Sequence, residues 1–160
     1  MVLSTNKSTV LGLLLLCAYF LQYFLGLSWE WLEVLQQDQM YKRWSGLVLA
    51  LFICFQWMLT LTRTVSKWRK HAMTMQTIHK WLGAISPLFF YFHSMALGYG
   101  YLLLLSYVFF SNTLLGYLNL DVIKSRSDAW FKGWMITHVA LSMMVSILLL
   151  FHVVMVFYYK

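Results

Sequence analysis

Long apolar stretches separated by short polar ones set the pattern of this chain. Apolar residues dominate 9–27, 44–62, 77–97, 100–118 and 134–158. Each stretch is close to the roughly 20 residues that a helix needs to cross a hydrocarbon core of about 30 Å. The pattern predicts an all-α integral membrane bundle of about five transmembrane helices, with residues 1–160 forming one domain. Stretches 77–97 and 100–118 together are too long for one crossing, and Gly98-Tyr99-Gly100 supplies the expected tight turn between them, because glycine reaches backbone angles that other residues resist. The competing arrangement is a single tilted helix from His79 to about Phe110 followed by a re-entrant segment, which leaves an even number of crossings.

The polar connections orient the bundle. The 63–80 connection carries Arg63, Lys67, Arg69, Lys70 and Lys80, whereas 28–43 mixes Lys42 and Arg43 with Glu30, Glu33 and Asp38. Cytoplasmic loops are enriched in Lys and Arg, so the first of these faces inward. The 119–133 connection, with Lys124, Arg126 and Lys132, then falls on the same side, which gives an inner N-terminus and an outer C-terminus. Trp29, Trp31, Trp44, Trp68, Trp81, Trp130 and Trp134 lie near the expected interfaces, where amphipathic rings concentrate. The stretch Val10 to Leu27, which follows Lys7, is long for a signal peptide and lacks a small-x-small cleavage site, so it reads as a retained span.

Composition narrows the function classes. Hydrophobic residues make up 61% of the sequence and charged residues 11%, and the mean hydropathy is +0.68. A chain that spends 160 residues in this way has no room for a soluble nucleotide or flavin domain of roughly 100 residues. The formal charge of +7 is concentrated beside a membrane, where topology and anionic lipid headgroups account for it better than nucleic acid does. Cys17 and Cys54 fall inside apolar runs and read as buried free thiols rather than a disulfide framework.

Histidine supplies the functional signal. His79 and His93 are 14 residues apart, and so are His138 and His152. Fourteen residues of helix rise about 21 Å in close to four turns, so each pair lies on one helix face near the two sides of a bilayer. With 100–118 as an ordinary crossing the third and fifth spans run parallel, and His79 then levels with His138, and His93 with His152. Two stacked bis-histidine sites result, which is the arrangement for two b haems held without covalent attachment, since no Cys-x-x-Cys-His occurs. Ser86 and Val145, seven residues past the inner ligands, are small enough to let two macrocycles approach. Gly83 and Gly133 leave room near the inner site, and Pro87 frees a backbone carbonyl and bends its helix. Lys80, Arg126 and Lys132 are candidates to pair with haem propionates, or else are charges that fix topology. His71, in a basic connection with no partner at the same interval, reads as surface. Taken singly, a histidine in an apolar helix is more often an interhelical hydrogen-bonding residue, but ionisable residues inside spans are rare and mostly functional. Zinc or copper is disfavoured because no cysteine or carboxylate completes a small-ion shell.

The segment His79-Lys80-Trp81-Leu82-Gly83 with His93, and His138 with His152, resembles the ferric reductase-like transmembrane domains. These include ferric reductases, NADPH oxidases and the haem-bearing membrane subunit of bacterial methionine sulfoxide reductase systems. The resemblance covers roughly 77–158 and implies two haem b groups with these four histidines as axial ligands to iron. It further implies electron transfer between an inner donor and an outer acceptor, and location in a bacterial inner membrane. Family members commonly have a sixth span and often a cytoplasmic flavin and nicotinamide domain, neither of which these residues contain, so the donor is expected to be a partner, a flavoprotein or quinol. Respiratory cytochrome b subunits also pair histidines on two parallel helices, so a quinol-linked subunit is the first alternative. A haem-free membrane anchor or assembly subunit is the second.

Overall fold

A computed structural model describes residues 7–118 and 128–158. Among the described residues all regular structure is helical: α1 (Lys7–Leu25), α2 (Glu30–Gln37), α3 (Gln39–Gln56), α4 (Met58–Thr64), a 3-10 turn (Ser66–His71), α5 (Ala72–His93), α6 (Tyr101–Tyr117) and α7 (Asp128–Tyr158). Three stretches are long and apolar enough to cross a membrane, Lys7–Leu25, Gln39–Thr64 and Asp128–Tyr158, while α6 is a shorter apolar helix of 17 residues. Trp57 alone separates α3 from α4, and the Asp38 carboxylate starts α3 by accepting from the amides of Met40 and Tyr41, the usual way of satisfying the first donors of a helix.

The expected boundaries shift at three places. The 28–43 connection contains α2 and the first turn of α3, and the 63–80 connection is mostly helical, so His79 stands well inside α5. Asp128–Gly133, expected to be connection, is the first turn and a half of α7. Lys124 and Arg126 lie outside the described residues.

Chain direction alternates through the bundle. Gly12 meets Tyr117 and Tyr19 meets Met95, so α1 runs with α5 and against α6. Ser45 pairs with His93 and Arg63 with Gln76, so α3 and α4 run against α5. Trp134 donates to Leu115 and Asn112 pairs with Ser142, which sets α6 against α7. The long tilted helix is therefore not formed: α5 stops at His93, and the chain reverses through 94–100. Gly98 (φ +80°) and Gly100 (φ +58°) take the left-handed angles of this turn, and the Ser106 hydroxyl closes it on the carbonyl of Leu97 at 2.8 Å.

Between the helices an aromatic core of Tyr19, Phe90, Phe109, Phe110 and Tyr117 is joined by small and polar residues such as Ser8, Gly12, Ser86 and Ser106, while many large apolar side chains face outward. Helix α1 buries Ser8, Thr9, Gly12, Leu16 and Tyr19, while Val10, Leu14, Leu21 and Phe24 make an exposed stripe. Ile136, Val139, Met143, Ile147, Leu150 and Val154 do the same along α7. An exposed apolar surface of this extent is unfavourable in water and suited to lipid. Cys17 and Cys54 are free but exposed, which corrects the expectation of burial: Cys17 falls on the outward stripe of α1, and Cys54 lies beside exposed Phe55. Helix α5 is the central element, packed by α1, α3, α4 and α6. Surrounded by protein, it needs less apolar surface than α7, and it carries Gln76, Lys80 and Pro87.

Pro87 is fully buried and has no N–H to give to the carbonyl of Gly83. That carbonyl accepts instead from the Tyr117 hydroxyl at 2.9 Å and from Ser86 at 2.8 Å. The Tyr117 ring lies so close to Gly12 that a Cβ there would stand 2.5 Å from its Cζ. One tyrosine thus joins α1, α5 and α6 where the proline breaks the backbone ladder.

Candidate functional site

Helices α5 and α7 carry the four histidines yet share little backbone contact, being bridged on one side by α3 and on the other by α6. Across that gap the ring centres of His79 and His138 lie 6.3 Å apart, and those of His93 and His152 lie 6.4 Å apart. Two imidazole nitrogens on opposite sides of one metal ion, each at about 2.0 Å, hold their ring centres about 6 Å apart. All four rings are half-buried, and His71 is exposed. Among the described residues no three His, Cys, Asp or Glu side chains converge. The donor sets are therefore twofold, which suits a planar macrocycle that brings its own equatorial nitrogens and needs only two axial ligands.

Second contacts hold the His93/His152 pair, termed outer, as His79/His138 is termed inner, after the orientation expected from the sequence. Ser45 Oγ lies 3.2 Å from His93 Nδ1, and the Tyr101 hydroxyl lies 3.4 Å from His152 Nδ1. Gly46 lets the His93 ring sit against the α3 backbone, where a Cβ would stand 2.8 Å from Cε1. The C-terminal carbonyls of α5 are satisfied from α2 and α3, and α1 holds the turn that follows. Gln36 Nε2 donates to Tyr91 and Phe92, the Tyr41 hydroxyl donates to Phe92, and Gln22 donates to Met95. These bonds fix the last turn of α5, and with it His93, since free helix ends otherwise need water or side-chain partners.

A cavity of about 460 Å³ opens at this pair, lined by His93 and His152, by apolar side chains including Leu49, Phe90, Phe109 and Leu149, and at one end by Gln39, Lys42 and Arg43. That volume lies in the range of about 300–1,000 Å³ usual for cofactor sites, and an apolar wall with a few polar groups is their usual lining.

The inner pair is built differently. Trp134 stacks on His138 with ring centres 5.7 Å apart and planes 5° from parallel, and its indole N–H donates to Leu115. Gly116 admits the His138 ring at 3.3 Å from where a Cβ would be. The Nδ1 atoms of His79 and His138 and Oε1 of Gln56 make no hydrogen bond of full geometry; the backbone of Gln56 lies beside the His79 ring and that of Asn112 beside His138. Beside His79 the side chains of Phe55, Leu59, Met75 and Leu82 close up and leave no cavity comparable with that at the outer pair.

Ser86 and Val145 are both buried between the two pairs. A side chain at Gly83 or Gly133 would meet open space, so the close approaches to histidine are made by Gly46 and Gly116 on neighbouring helices. Lys132 is exposed on the first turns of α7 and Lys80 follows His79 on α5, while the cations lining the outer cavity are Lys42 and Arg43. Sequence reasoning passed over Ser45, Gly46, Tyr101 and Gly116. The signal available for the glycines was the preference of membrane helices for small residues at close contacts; nothing in the sequence marks Tyr101 beyond its place after the Gly98–Gly100 turn. Trp134, expected near a membrane interface, covers the His138 ring in the structure. No family model, curated protein or solved structure matches this chain.

Proposed function

We propose that this chain is a dihaem cytochrome b-type subunit that carries electrons across a membrane within a redox complex. The observation that supports it most is the presence of two histidine pairs at almost equal separation, one pair at each end of two parallel helices that otherwise barely touch. Haem iron, when bound, supplies one-electron chemistry by alternating between ferric and ferrous states. His79 with His138, and His93 with His152, would hold the two haems, one pair at each end of the two helices. Lys42 and Arg43 stand where they would neutralise carboxylates of the outer group. Leu49, Phe90, Phe109 and Leu149 would keep water from it.

The haem-free reading makes the histidines interhelical hydrogen-bonding residues. At the inner pair the partners it would use are the backbone groups of Gln56 and Asn112, neither of which makes a hydrogen bond of full geometry with Nδ1. In the proposed arrangement α1, α3 with α4, α5, α6 and α7 are five crossings of a bacterial inner membrane, with the N-terminus inside and the C-terminus outside. The inner donor is a redox protein such as a flavoprotein; electron entry from quinol is the competing route. A reduced-minus-oxidised difference spectrum of the purified protein tests the proposal. A cytochrome b band is expected, and its absence from protein expressed with adequate haem supply would leave the anchor reading in its place.

A further inference from the structure

The outer histidines have hydroxyl partners and the inner ones have none. Ser45 Oγ, 3.2 Å from His93 Nδ1, is also 3.3 Å from the carbonyl of Lys42. A serine hydroxyl has one hydrogen and two lone pairs. The carbonyl can only accept, so the hydrogen goes to Lys42 and the oxygen is left to accept from His93. Nδ1 of His93 then carries the ring proton, and Nε2 keeps the lone pair that a metal requires. Gly46, next in sequence, removes the side chain that would push the ring out of this position. On the other side Tyr101, placed at the start of α6 by Gly100, brings its hydroxyl to His152 Nδ1 while its ring packs edge-on against Phe151. Nδ1 of His79 and of His138 has no hydroxyl partner; what lies beside these rings is the backbone of Gln56 and of Asn112.

We propose that Ser45 and Tyr101 are positioning residues of the His93/His152 pair, which hold both imidazoles with Nδ1 as donor and Nε2 free for the axial bond. The inference rests on the dihaem reading. A hydrogen bond from the far ring nitrogen orients a metal-bound imidazole and makes it a stronger electron donor to the metal, which favours the ferric state. The two haems are therefore tuned differently, the outer by two hydroxyls and the inner without them.

The test is a redox titration of the α-band, with low-temperature electron paramagnetic resonance of the ferric protein, on the full chain in lipid nanodiscs. The proteins compared are wild type, Ser45→Ala, Ser45→Thr, Tyr101→Phe and His93→Ala. Retention of the inner haem in each variant reports that it has folded. Two components are expected in wild type, with His93→Ala deleting one of them. Ser45→Ala and Tyr101→Phe should move that same component to higher potential and alter its ferric signal while the other stays in place, and Ser45→Thr should restore it. Selective loss of that component in Ser45→Ala, again restored by threonine, would support the same assignment. Both components unmoved in Ser45→Ala and Tyr101→Phe, or a shift in the component that survives His93→Ala, would overturn the assignment and leave the dihaem reading standing. Absence of haem from the wild-type protein would remove both.

Discussion

For three of the histidines a decisive neighbour lies on another helix. His93 is held by Ser45 and Gly46 of α3, His152 by Tyr101 of α6, and His138 by Gly116 of α6 and by Trp134 one turn back on its own helix. Axial ligands act across a pair, so alanine at His93 or at His152 should remove the same haem, and alanine at His79 or at His138 the other. Difference spectra of the four variants check this, and a shared loss between His79 and His152 would contradict the pairing. Gly46→Ala is the finer test. The added methyl would stand 2.8 Å from His93 Cε1, closer than packed carbon atoms come, so the ring must move off Ser45. The outer haem should be lost or weakened with the inner one retained, and a native spectrum at both sites would show that the ring has room to spare. The histidines themselves were legible in the sequence because equal spacing on two spans needs no knowledge of contacts. Gly46 and Gly116 were not, because sequence proximity favoured Gly83 and Gly133, whereas the close approaches run between helices.

Among the elements, α5 shows most plainly how a helix packed inside the bundle tolerates a break. Pro87 leaves the Gly83 carbonyl free, and α6 answers with Tyr117 across the bundle. Tyr117→Phe removes one of the two donors to that carbonyl and leaves Ser86 in place. The loss should be about 1 kcal/mol, measured as a lower unfolding midpoint in detergent with the histidine pairs and their spectrum unchanged. A larger loss would mean that Ser86 cannot satisfy the carbonyl alone. At its other end α5 depends on Gln36, which ties the short helix α2 to the turn that carries His93. That helix was read as part of a connection, since its eight residues are too few to show a span and its function lies in contacts that the pattern does not encode. The proline was legible as a break, but the partner of the freed carbonyl was not. Boundaries differ for a related reason: a polar residue such as Lys132 ends an apolar run without ending the helix, whose ladder continues past it.

Over the whole molecule, charge and apolar surface divide cleanly. Arg63, Lys67, Arg69 and Lys70 gather at the end near His79 and His138, and Lys67, Arg69 and Lys70 are exposed on the 3-10 turn. An acidic redox partner would dock there, since complementary charge raises the encounter rate. Reversing Lys67, Arg69 and Lys70 should slow reduction of the inner haem by that partner, most at low ionic strength, where exposed charges are least screened. Stopped-flow kinetics on correctly oriented protein reads this out, and unchanged rates would favour electron entry from quinol within the membrane. Fold class was the most legible property, because apolar helices announce themselves by length alone; the cavity at His93 and His152 was invisible, being made by α3, α5, α6 and α7 together. The central claim is that two histidine pairs hold two haems. Pyridine haemochrome analysis of the purified chain, set against its protein concentration, tests it most directly. Close to two b haems per chain is the expected result; a ratio near one would make one pair structural, and a ratio near zero would contradict the account.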